Sequence, residues 1–323
     1  MQLKIQELPW LESQRELLRT AHAAGRMAHA LLIHEARGAG GDVLALWTAQ
    51  LLLCSAAAEP PCGVCAGCRR AALMQHPDLA VLAPIEDSQQ IRIDQVRELI
   101  AELSLTSHQG GYKVAIVSPA DALNRAAANA LLKTLEEPTA RTLLILVATQ
   151  PSRLPATLLS RCQRIPVRAP ARGEAVAWLE SLRGSADWGG ALDVLGDAAL
   201  LAAEADPKTL IQFAGETRRA LEQMSGAGAD PVATAERWWR TDLPLRLACI
   251  ENWLTDRVRR HFAGAAFSVE MNADGHLQGG SRILSIRRLF GLIDAVQELK
   301  SSLDTPINRS LALESVLRRV AAG

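Results

Sequence analysis

Between Lys113 and Cys162 the chain alternates two kinds of segment that few architectures accommodate. Val114-Ala115-Ile116-Val117 is short, apolar and β-branched, the pattern of a strand buried on both faces. In Asn129 to Pro138, Leu131 and Leu135 recur at helical spacing and Pro138 forces a stop. Leu143 to Ala148 reads as a second buried strand, and Leu158-Leu159-Ser160-Arg161-Cys162 as a helix that ends in an arginine. Ala30 to His34 and Leu79 to Ala83 repeat the strand pattern upstream, and Arg164 to Val167 repeats it downstream. Such an order predicts an α/β parallel sheet of the phosphate-handling kind.

The chain has 323 residues, enough for two or three domains with ample core. Lysine plus arginine equals aspartate plus glutamate at 35 each, so no global basic field draws it to nucleic acid. Any DNA contact is expected to be local or made by partners. The start, Met1 to Glu7, carries no signal-peptide core, and no apolar run approaches membrane-spanning length; a cytoplasmic location is expected. In that compartment six cysteines suit thiols or metal ligands better than disulfides.

Four of the six cysteines fall in one stretch, Cys54-x7-Cys62-x2-Cys65-x2-Cys68. Four soft thiolates can close a tetrahedral zinc site with no open position for water, which makes the expected role structural. Four free thiols in a surface insertion are the alternative. Ser55 to Gly67 has little apolar bulk with which to order itself, which favours metal.

Glu35-Ala36-Arg37-Gly38-Ala39-Gly40-Gly41-Asp42 sits where a nucleotide-binding phosphate loop belongs, between a strand and a helix over Val43 to Leu53. A working loop reads G-x-x-x-x-G-K-S/T: its amides cradle phosphates, its lysine reaches them, and its hydroxyl holds magnesium. Here Glu35 stands for the first glycine, Gly41 for the lysine and Asp42 for the hydroxyl residue. Gly38 and Gly40 still permit the turn. Asp42 at a helix start is a good cap and would repel a phosphate arriving at the same amides. The loop is expected to be vestigial.

Ala130 to Pro138, ALLKTLEEP, followed about twenty residues later by Ser160-Arg161-Cys162, resembles the AAA+ domain of bacterial clamp loaders, the DNA polymerase III subunits gamma, tau and delta-prime. The four-cysteine module and His76-Pro77-Asp78 resemble the family too; His76 is assigned no ligand role. The likeness is strong to Cys162 and looser after Pro170.

It implies an AAA+ core at 1–168 containing the zinc module (54–68), a helical lid at 169–206 and an all-α collar at 207–323. An active relative would end the strand at Val114 in Asp-Glu to hold magnesium. This chain has Ser118-Pro119, and Asp121 beyond the proline reads as a turn or cap. Thr149 takes the place of a γ-phosphate sensor and reads as a strand end. The lid's Gly196-Asp197 lacks a nearby arginine.

These departures resemble the delta-prime branch, which implies no ATP or magnesium in this chain and a hetero-oligomer with gamma/tau and delta. It implies too that Arg161 reaches the neighbour's ATP site as a trans arginine finger, coupling ATP use there to loading of the sliding clamp on primed DNA. Lys133, Glu136 and Glu137 are expected to shape the helix and the subunit contact, and Cys162 to be a buried thiol. An active gamma/tau-like ATPase and a zinc-dependent DNA-binding protein are the alternatives.

Toward the C-terminus, Trp238, Trp239 and Trp253 interleave with Arg237, Arg240, Arg257, Arg259 and Arg260. Helix packing with snorkelling arginines is expected ahead of nucleic-acid stacking. Asn272 to Ser281 reads as a polar glycine-rich loop, and Asn308 to Leu317 resembles the closing collar helix.

Overall fold

The computed structural model describes residues 8–56, 59–85, 88, 90–225, 228–264, 286–303 and 307–322. The loop expected at Asn272 to Ser281 lies outside them. Packing divides the chain into two compact units, Met1–Ala175 with Ala198–Leu201, and Val176–Asp197 with Ala202–Gly323.

The first unit is built on five parallel strands. β1 (Ala30–Glu35), β2 (Leu79–Leu82), β3 (Lys113–Val117), β4 (Thr142–Ala148) and β5 (Gln163–Val167) lie in the spatial order β2-β3-β4-β1-β5. This is the parallel α/β sheet that the apolar runs predict. β3 and β4 are buried along their full length, since helices cover both faces and leave no strand residue for water. Register places Leu31 beside Ile145 and Ile33 beside Ile165.

A single turn of 3-10 helix, Pro9–Leu11, leads into α1 (Glu12–Ala23). α2 (Gly41–Leu53) follows β1, α3 (Ala66–Ala72) follows the cysteine insertion, and α4 (Ile93–Ser104) crosses from β2 to β3. α5 (Arg125–Glu136) starts on Asn124, whose side chain accepts the Ala127 amide at 2.8 Å, an Asn cap of the expected kind. Its buried face is Ala127, Ala128, Leu131 and Leu135. α6 (Ala156–Leu159) is one turn whose Leu158 enters the same core. Removing Leu131 or Leu158 by an alanine change belongs to the class of core truncations that cost about 2–5 kcal/mol.

His76-Pro77-Asp78 has a structural explanation. Asp78 is buried, and its carboxylate accepts the Ser107 hydroxyl (3.1 Å) and the amides of His108 (2.8 Å) and Gln109 (3.3 Å). It therefore clasps the loop between α4 and β3. Nδ1 of His76 accepts the Asp78 amide, which keeps the turn in place.

The other helices are α7 (Arg172–Arg183), α8 (Trp188–Leu195), α9 (Ala199–Glu204), α10 (Pro207–Ser225), α11 (Pro231–Trp238), α12 (Leu243–Gly264), α13 (Ile286–Ser302) and α14 (Arg309–Ala321). In the second unit Trp238 and Trp253 are buried in a core with Leu247, Leu254, Leu292 and Leu317. Arg257 lies over Trp253 at 4.1 Å and Arg240 over Trp239 at 5.2 Å. These are the packed tryptophans with covering arginines that the sequence predicts. Arg246 is buried between Phe213 (3.8 Å) and Trp238 (4.8 Å).

Candidate functional site

Parallel strands put their functional ends at their C-termini, and here β1 delivers the glycine loop. Gly38 and Gly40 take φ of +68° and +101°, so the turn forms as expected. What fills it is not open space. A side-chain carbon on Gly38 would meet Ala198 at 2.9 Å, and one on Gly40 would meet Leu8 at 2.6 Å. Glu35 folds back over the loop, and its carboxylate accepts the Gly41 amide at 2.6 Å. That is an amide of the kind that a phosphate would use. An internal anion has taken the place.

Burial pushes the Glu35 carboxyl above its ordinary range, the Gly41 amide opposes this, and the charges of Asp42 and Asp121 push the same way as burial. A carboxyl whose folded pKa lies above its unfolded value gives stability that is present at low pH and lost as pH rises through the folded value. Glu35→Gln keeps an oxygen for the amide and drops the charge. It is expected to raise the melting temperature at about pH 8, with the gain shrinking toward about pH 4. A gain that stayed constant with pH would contradict the ionised assignment.

Asp42 corrects an expectation. The helix cap is Gly40, without a side-chain bond, and α2 starts at Gly41, two residues before the expected Val43. Asp42 instead hydrogen-bonds Ser118 across the end of β3, where its Oδ1 accepts the Ser118 hydroxyl. A carboxylate thus stands where the phosphate loop has a hydroxyl, a hydroxyl stands where the strand end has a carboxylate, and the two close on each other. Asp121, read as a turn or cap, accepts the Thr149 hydroxyl (3.0 Å) and the Gln150 amide (2.9 Å). It fastens the end of β4. Pro119, beside Ser118, contributes no side-chain donor.

The four cysteines converge. Cys54 follows the last residue of α2, Cys65 caps α3, and the sulfurs of Cys54, Cys62, Cys65 and Cys68 all lie within 4.8 Å of one another. A tetrahedral ion with sulfur bonds of about 2.3 Å needs sulfurs about 3.8 Å apart, and Cys54 and Cys65 stand at 3.9 Å. The Cys65 amide donates to Cys62 Sγ (3.4 Å) and the Cys68 amide to Cys65 Sγ (3.3 Å). Burial opposes ionisation of Cys65, yet the Cys68 amide and the hydroxyl and amide of Ser55 hold its thiol at about 5. Cys68, the buried one, is pushed up, first by burial. The cluster could hold a metal ion such as zinc.

Arg161 follows α6, and in this chain its guanidinium is occupied. Nη2 pairs with Glu136 Oε1 at 2.7 Å, and Nη1 donates to the Thr157 carbonyl at 2.7 Å. About a third of the side chain is exposed. Cys162 is a buried thiol raised to about 11 by burial, as expected. The sequence reading missed a cleft of about 350 Å³ lined by Leu123, Arg125, Ala128, Arg153, Leu154 and Pro155.

The family model described as "DNA polymerase III, delta subunit" matches residues 10–171. DNA polymerase III subunit delta-prime of Escherichia coli is 35% identical over 322 residues, covering 97% of this chain and 94% of that one. The chain belongs to the delta-prime family of DNA polymerase III clamp-loader subunits. The delta-prime subunit of Pseudomonas aeruginosa is 42% identical over 172 residues, or 53% of this chain and 52% of that one. DNA polymerase III subunit tau of Escherichia coli is 34% identical over 146 residues, 45% of this chain and 22% of its own length. The closed loop, the strand end at Ser118 and Arg161 all lie within residues 10–171, the segment that the family model matches. Among the described residues no helix is long and apolar enough to cross a membrane.

Proposed function

We propose that this delta-prime family member is the non-hydrolysing subunit of a clamp loader. It lends Arg161 to the ATP site of an adjoining gamma/tau subunit. Assembled with gamma/tau and delta, it couples ATP use by its neighbour to placing the sliding clamp on primed DNA. Residues 1–168 serve as the AAA+ core, 169–206 as the lid and 207–323 as the collar through which subunits hold one another. Zinc on the four cysteines is structural, and the protein works in the cytoplasm.

One observation carries the reading. The Glu35 carboxylate sits on the amide of Gly41, and the magnesium positions, Asp42 and Ser118, are bonded to each other. A triphosphate would have to displace a carboxylate from this amide and crowd against a second carboxylate, and anions at a shared site repel strongly. The site next door therefore has to do the chemistry, and a cation exposed at the surface is what this chain can offer it.

The test uses purified protein. Alone, the chain should neither hydrolyse ATP nor gain thermal stability from magnesium-ATP. Added to gamma/tau and delta, it should co-purify with them and raise their DNA-stimulated turnover. Turnover by the chain alone would revive the active-ATPase reading.

A further inference from the structure

Arg161 and Glu136 reach each other from two elements that are packed as one. Leu158 of α6 is fully buried in the core that holds Leu131 and Leu135 of α5. The Arg161 amide donates to the Leu158 carbonyl at 3.1 Å, which fixes where the arginine leaves the backbone. Glu136 is the last residue of α5, so its carboxylate projects from the end of the same packed pair. The guanidinium is then held at both Nη atoms, by Glu136 on one side and by the Thr157 carbonyl on the other, with the Ser160 hydroxyl 3.4 Å from Nη1.

Stability does not account for this ion pair. With side-chain exposures of 35% and 52% it belongs to the surface class of ion pairs, which add little to stability. Orientation does account for it. A free arginine samples many rotamers, and a planar fork is useful only when its plane is aimed. Two anchors restrict that freedom before any partner arrives. With the Ser160 hydroxyl they engage both Nη groups and leave Nε–H for an incoming anion.

We infer that Glu136 is a positioning residue, which holds the Arg161 guanidinium aimed at the triphosphate bound by the adjoining subunit. The inference rests on the arginine-finger reading above. Glu136 touches no phosphate and acts only through Arg161. A group needed mainly in the transition state, once misaimed, lowers kcat and leaves KM for ATP where it was.

The test is ATP turnover, measured against ATP concentration, by the complex of this chain with gamma/tau and delta on primed DNA and clamp. Glu136→Gln is expected to lower kcat at the served site about fivefold to tenfold without raising KM. Glu136→Asp should recover part of the loss, and the melting temperature of the chain should stay unchanged. In an Arg161→Ala background, Glu136→Gln should cost nothing more. Unchanged or faster turnover in Glu136→Gln, beside slow turnover in Arg161→Ala, would overturn the positioning role and leave the finger standing. A Glu136→Gln loss that persisted in the Arg161→Ala background would overturn it too. If Arg161→Ala itself changed nothing, the finger reading would fail first and the inference with it.

Discussion

In the reconstituted complex, Arg161→Ala is expected to lower turnover at the adjoining ATP site about a thousandfold, while this chain stays folded and assembled. The magnitude follows from charge. A guanidinium about 4 Å from a transferring phosphoryl group, at an effective dielectric constant of about 20, contributes about 4 kcal/mol. At about 1.4 kcal/mol per decade that is close to three decades of rate. Folding is spared because what the mutation removes within the chain is one partly exposed ion pair and the bonds to the Thr157 carbonyl and the Ser160 hydroxyl. Arg161→Lys keeps the charge and loses the fork, so its rate should lie between the two. Since one site would be served by Arg161, the loss is best read in a single-turnover measurement with the other sites silenced. Equal rates for the alanine variant and the natural chain would remove Arg161 from the chemistry.

Much of this was readable in the order of residues, and the reasons differ from place to place. The strands announced themselves because a sheet covered on both faces demands apolar residues at every position, as in Leu143 to Ala148. The cysteine cluster was readable because C-x-x-C steps bring thiols together by local turns; only Cys54 arrives from further off. The missing lysine and the missing Asp-Glu were absences at fixed positions.

What replaced them was not readable. Nothing local in Glu35 says that it will curl back onto the amide of Gly41, because that depends on how α2 docks on β1. Asp42 looked like a cap since Asp at a helix start usually is one; a hydroxyl brought in from the end of a distant strand won the contest. Asp78 likewise gathers partners from the far end of α4, and a sequence pattern shows only a turn. Arg246 sits between Phe213 and Trp238, a contact made by three helices and visible in none of them alone. Local chemistry was legible; side chains that close a site across the sheet were not.

Stripping the metal should unfold the cysteine module and leave the sheet standing. Purified protein is expected to carry one zinc ion per chain, and Cys68→Ser or Cys62→Ser should release it. Structural zinc in small modules binds with apparent free energies of about 10–16 kcal/mol, far more than this insertion could supply from its own apolar contacts. The close packing around Cys68 shows why the loss would spread to α3. A side-chain carbon on Gly67 would lie 2.2 Å from the Leu53 carbonyl, so α3 rests directly on the end of α2. Gln50 Nε2 donates to the Cys68 carbonyl at 2.9 Å in the buried contact between them.

Cys68 is fully buried and the other three thiols are not, so Cys68→Ser should be the more damaging change. Limited proteolysis gives the readout: with chelator, cleavage should appear between Cys54 and Leu73 while the core of β1 to β5 resists. Resistance there is expected to depend on the ion, because α3 has only seven residues and helices that short are marginal by themselves. A metal-free chain that resisted cleavage between Cys54 and Leu73 as well as the natural protein does would show that packing on α2 suffices, and that the four thiols are not a zinc site.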